Sequence, residues 1–120
     1  MKITKATVKE VIQYLKKTRE NTWCVGDQSN EKGQHCAIGQ ISCKPSSPFF
    51  RKSTVYVSEY GPEKRLYTRN GALGDTLQCL CQDKLGVSLA AANNGCSPRY
   101  SQPTPRERSI AILKDLLKVM

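Results

Sequence analysis

Residues 104–120 read TPRERSIAILKDLLKVM, and this stretch decides how the rest of the chain must be arranged. Thr104 offers a side-chain oxygen to the free amides of a helix start. Pro105 supplies a fixed φ where no N–H is needed, and Glu107 completes a capping box. Ile110, Leu113, Leu116, Leu117 and Met120 then line one face. A helix with so defined a start and so apolar a side requires other elements to cover it.

Working outward, Leu73, Leu77, Leu80 and Cys81 have the same periodicity, and Gly86 after Leu85 is placed as a left-handed cap, so a helix is predicted over 73–85. The short apolar piece VSLAAA follows, then a turn at Asn93-Asn94-Gly95 and a Ser- and Pro-containing loop to Thr104. At the other end, Thr7 and Glu10 read as a capping box. Val8, Val11, Ile12 and Leu15 give an amphipathic helix over 7–19, whose outward face carries Lys9, Lys16, Lys17 and Arg19. Residues 20–34, ENTWCVGDQSNEKGQ, form a polar loop of a length that is often functional. In HCAIGQISC, residues 35–43, Ala37 and Gly39 suit a short buried helix approached closely by a neighbour.

The segment 44–69 differs in character. After KPSSP comes a β-branched and aromatic stretch at 54–60, a Gly61-Pro62 turn and a second short stretch at 65–69, which together predict a hairpin. The expected fold is therefore α+β, mainly α: about four helices around one core with a basic β-hairpin insertion near 53–70. A single domain spans residues 1–120. A lone ribbon needs cover, so it must lie on the helices or pair with another chain, and homo-oligomerisation is consistent with this reading.

Length and composition agree with one modest globule. The chain has 120 residues, 38% hydrophobic and 24% charged, which excludes a multidomain enzyme and a disordered chain. Nineteen Lys and Arg against ten Asp and Glu give +9. That surplus draws polyanions and disfavours mimicry of DNA. The charged first twenty residues lack a secretory signal, and no apolar run approaches the roughly 18 residues of a membrane span. The expectation is a cytoplasmic protein with no membrane partner. In that compartment the six cysteines, Cys24, Cys36, Cys43, Cys79, Cys81 and Cys96, are expected to be reduced thiols. They contain no C-x-x-C pair, and buried packing accounts for them more simply than the tetrahedral zinc set Cys24, His35, Cys36 and Cys43. No cofactor is called for.

TWCVG, KGQHCAIGQI, LGVSLAAANNG and the terminal TPRERSIAILKDLL together resemble a family of small uncharacterised bacterial and phage proteins. That family has an early Trp-x-x-Gly loop, a Cys-Ala-aliphatic-Gly helix and an Asn-containing turn before the last helix. The resemblance covers both ends of the chain and carries Trp23, Gly26, Cys36, Ala37, Gly39 and Asn93, with the basic hairpin as an insertion. Its members usually have an acidic residue where this chain has Asn94. It implies a phage or mobile-element origin and, in that setting, a counter-defence role; it supplies no mechanism.

The physical signal for function is the insertion itself. Lys44, Arg51, Lys52, Lys64, Arg65 and Arg69 stand against only Glu59 and Glu63, interleaved with Phe49, Phe50, Tyr56, Tyr60 and Tyr67. Guanidinium groups grip phosphate oxygens in pairs and flat rings stack on bases, so the combination suits a nucleotide or a single strand. If the rings instead pack against helices, the charges only solvate the outer face. The expected ligand-binding residues are Arg51, Lys52, Lys64, Arg65, Arg69, Tyr56 and Tyr67, with Trp23, which also anchors the long loop. The leading expectation is a small basic non-enzymatic binding protein that sequesters a nucleotide signal, blocks a host nucleic-acid process or docks on an acidic protein surface. The alternative is a thiol-dependent enzyme with Cys24 or Cys36 as nucleophile, His35 as base and Asn93 as orienting group. Adjacent helical residues point about 100° apart, so Cys24 is the better mate for His35. No Walker, dinucleotide, zinc-protease or serine-elbow string occurs.

Overall fold

The computed structural model describes residues 3–44, 46–49 and 73–120 in full and the backbone of 55–57 and 66–68. Five α-helices form its body: α1 Lys5–Lys17, α2 Ala37–Ser42, α3 Leu73–Leu85, α4 Leu89–Asn93 and α5 Pro105–Lys118. The α5 helix is the hub, touching the other four, while α2, α3 and α4 also pack on one another. Val11 and Leu15 of α1, Ile41 of α2, Leu77 of α3 and Leu113 and Leu116 of α5 are fully buried in one shared apolar cluster.

The expected α+β class is corrected to an all-helical one: among the described residues five α-helices make up the body and no sheet layer covers the core. Val55–Val57 and Leu66–Thr68 run antiparallel, three residues each, with Tyr56 opposite Tyr67. The reason lies in the helices: five of them pack on one another and cover their own apolar faces without a sheet layer. The rest of the expected hairpin lies outside the described residues.

The expected ends of α5 and α3 match the structure. Thr104 Oγ1 accepts from the Glu107 amide at 3.1 Å, with Pro105 in the first turn. Gly86 follows α3 with φ of +72°, a conformation natural to glycine and costly to other residues. Helix α1 starts earlier than predicted. Its cap is Thr4, whose Oγ1 accepts from the Thr7 amide at 3.2 Å, so Thr7 is a donor in the first turn rather than the cap. It also stops earlier, because Thr18 turns extended and its hydroxyl donates to Leu15 O at 2.6 Å. The piece read as a short apolar connection is α4, capped by Ser88 Oγ, which accepts from Ala91 N at 3.1 Å. Five residues are too few for a 3.6-residue period to declare itself. No helix among the described residues is long and apolar enough to cross a membrane.

Candidate functional site

The long loop 20–36 is held on the helices at both of its ends. It enters through a 3₁₀ turn, Glu20–Thr22, and Trp23 then plugs into the core at 4% exposure. The indole Nε1 donates to Thr18 Oγ1 at 2.9 Å. Trp23, expected among the ligand-binding residues, thus presents an anchor rather than an open face. Thr22 O accepts from His35 N at 2.9 Å and His35 O accepts from Cys24 N at 3.0 Å, pairing Trp23 and His35 in parallel.

Two buried amide side chains lock this pairing to the helices. Gln40 of α2, fully buried, donates through Nε2 to Thr22 O at 2.8 Å, and its Oε1 accepts from Lys44 Nζ at 3.4 Å. Asn93, at the end of α4 and fully buried, accepts at Oδ1 from Ala37 N at 3.0 Å. Its Nδ2 donates to Cys24 O at 3.1 Å and to Asn94 Oδ1 at 2.9 Å. Asn94 Oδ1 also accepts from Gly26 N at 2.9 Å. Arg108 of α5 closes the back, donating to Ala92 O at 3.1 Å, Asn93 O at 2.9 Å and Gln102 O at 2.8 Å. Asn93 was read from sequence as a turn residue or an orienting group. Asn94 was read only as part of the turn, and Gln40 and Arg108 carried no signal there, because a polar residue on an amphipathic helix reads as solvent-facing until its neighbours are known.

The thiols and the histidine of this region sit in surroundings unlike those of an activated pair. His35 Nδ1 is 2.8 Å from Ser29 Oγ, and the Cys24 thiol donates to Asp27 O at 3.3 Å. Among the described residues no hydrogen bond joins either sulfur to the imidazole. Burial, reinforced by Cys36 and Asp27 nearby, pushes the Cys24 thiol up, and burial pushes Cys36 up as well. Burial lowers the affinity of His35 for its proton. Cys43, desolvated and near Cys36, is pushed up to about 11. A catalytic thiol held as thiolate at neutral pH needs the opposite shift. Among the described residues, Cys24, His35, Cys36 and Cys43 included, no three His, Cys, Asp or Glu side chains gather to hold a metal.

Of the basic insertion, Lys44 is tied back to Gln40, while Arg51, Lys52, Lys64, Arg65 and Arg69 lie outside the described residues, as do the side chains of Tyr56 and Tyr67. Phe49 turns inward, 4% exposed, its ring edge-on to Tyr14 with centroids 5.8 Å apart. On the outer face of α3 a concavity of about 210 Å³ is lined by Ile3, Thr76, Cys79, Leu80 and Asp83. A small-molecule pocket starts at about 300 Å³, and the carboxylate of Asp83 further disfavours an anion there. No family model, curated protein or solved structure matches the chain.

Proposed function

We propose that this chain is a non-enzymatic binding protein for an anionic ligand, a nucleotide or a single-stranded nucleic acid, and that the segment 44–69 provides the contact surface. The observation that supports it is the distribution of charge. That segment carries six cationic residues against two acidic ones, within a chain of net charge +9. Burial and hydrogen bonding engage the sulfur, imidazole and amide groups around Cys24, His35 and Asn93 in holding the loop, which favours binding over thiol chemistry. A phage setting, which the resemblance to small phage proteins implies, would put such a protein in the cytoplasm of an infected bacterium, where sequestering a nucleotide signal or covering nucleic acid would counter a host defence.

The test is fluorescence anisotropy of labelled single-stranded oligonucleotides and of a labelled nucleotide, measured across a salt series. Each cation that releases a condensed counterion adds about 0.7 to the slope of log K against log salt for a single strand. Changing Arg51, Lys52, Arg65 and Arg69 together to Ala is expected to weaken oligonucleotide binding and lower that slope by about 2 to 3. Unchanged affinity in the quadruple variant would remove the segment from the reading. Loss of a catalytic turnover in Cys24→Ala or Cys36→Ala, with ligand affinity retained, would establish the enzyme instead.

A further inference from the structure

Cys24 and Cys36 are twelve positions apart in sequence and are brought side by side by the loop. Trp23 and His35 are paired in parallel by the bonds from His35 N to Thr22 O, 2.9 Å, and from Cys24 N to His35 O, 3.0 Å. Each cysteine directly follows its bridged residue. In a parallel pair, residues in register project to the same face with backbones about 4.8 Å apart, inside the Cα separation of about 4.4 to 6.8 Å that a disulfide spans. Beyond the bridge the Asn93 amide is inserted where the next rung would fall, donating to Cys24 O and accepting from Ala37 N, the amide that follows Cys36, so the two chains stay linked on both sides of the cysteines. The electrostatic influence of Cys36 on the Cys24 thiol is in keeping with such proximity. Cys24 is partly exposed and Cys36 is buried at 6%. Cys43 also feels the charge of Cys36, but it lies at the far end of helix α2, and about seven residues of helix rise span about 10 Å, which makes it the poorer partner.

We infer that Cys24 and Cys36 form a disulfide-competent pair, a site of reversible oxidation by low-molecular-weight disulfides such as oxidised glutathione. Cys24, the accessible sulfur, attacks one sulfur of the small disulfide as its thiolate. The S–S bond breaks, one small thiolate leaves, and a mixed disulfide forms on Cys24. The Cys36 thiolate then attacks the Cys24 sulfur and expels the second small thiolate. The two protons lost by the cysteines are taken up by the two released thiols, so the protein dithiol is oxidised as one small disulfide is reduced. The product ties the loop covalently to the start of α2.

The experiment treats the reduced full chain with oxidised glutathione under native conditions, quenches with acid, and reads intact mass and tryptic peptides. Adducts on the exposed Cys79 and Cys96 are counted separately. Expected is an internal bond joining the peptide that begins at Glu20 to the one that begins at Gly33, assigned to Cys36 rather than Cys43 by fragmentation or in Cys43→Ser. Dithiothreitol should reverse it, and Cys24→Ser should lack it. A bond from Cys24 to Cys43, separate glutathione adducts on Cys24 and Cys36, or a bond that appears only in denaturant would each overturn the inference. So would the absence of reaction at Cys24. Because the wild-type map decides alone, misfolding of a variant leaves the test intact.

Discussion

At the scale of single residues, the molecule depends on a few buried amides more than its composition suggests. Asn93 satisfies the Ala37 amide, the Cys24 carbonyl and Asn94 in one step, so truncating it strands at least two backbone groups away from water. Each buried group left unpaired costs about 1 to 3 kcal/mol. Asn93→Ala is expected to destabilise the protein by about 3 kcal/mol, seen as a lower midpoint with an unchanged slope in urea denaturation. A loss below about 0.5 kcal/mol would mean that water replaces the amide. This residue shows why the site was only partly legible in sequence. Asn-Asn-Gly correctly announced a turn, and Gly95 has the expected positive φ of +72°. Which backbone groups an asparagine meets depends on partners 56 and 69 positions away, and no local pattern encodes those. The cysteine and histidine residues around it were visible as candidates for chemistry; only their surroundings show that they are desolvated and engaged.

At the scale of elements, legibility followed the length of the helix and the quality of its cap. Helices α3 and α5 announced both, through a sustained apolar period and through Gly86 and Thr104-Pro105. In α1 the period was right and the start was shifted by competition between threonines at positions 4 and 7, each able to cap. The α4 helix was too short to be seen, and the β-branched segment drew the fold class toward α+β, whereas the described body is helical. The approach of the loop to α2 was legible in one residue. A Cβ on Gly39 would collide with the Gln28 carbonyl oxygen and lie 3.0 Å from His35 Cβ. Backbone cannot swing aside as a flexible side chain does, so relief requires the loop to lift from α2. Gly39→Ala is therefore expected to lower stability by about 1 to 3 kcal/mol, despite the higher helix propensity of alanine. Thermal melts read this directly, and faster limited proteolysis within residues 24–34 would place the damage in the loop. A neutral or stabilising outcome would mean that the loop is not pressed onto this helix.

At the scale of the whole molecule, burial of neutral titratable groups sets the pH range in which the fold is stable. Burial raises the thiol of Cys43 from 9.0 to about 11 and that of Cys81 from 9.0 to about 12. Tyr100, 2% exposed, is raised from 10.0 to about 12, first by burial and then by its 2.9 Å hydrogen bond to Asp115. Each of these groups holds its proton more tightly folded than unfolded, so its contribution is complete below the unfolded value. That contribution is lost as pH rises through the folded one. His35 works in the opposite sense: burial lowers it from 6.5, so the folded chain binds fewer protons than the unfolded chain and stability declines on acidification below that value. Stability in reducing buffer should therefore reach a plateau between about pH 7 and 9 and fall steadily above it. Tyr100→Phe should lose stability less steeply than the wild type between about pH 10 and 12, because one proton-linked group is gone. Melting temperatures recorded with dithiothreitol at half-unit steps, for both proteins, check the sign and the share of Tyr100. Parallel curves above pH 10 would mean that the Tyr100 hydroxyl is not held in its neutral form. The net charge of +9 acts against the trend, since deprotonation reduces self-repulsion as pH rises. A decline seen despite that relief would trace to the buried thiols and tyrosines.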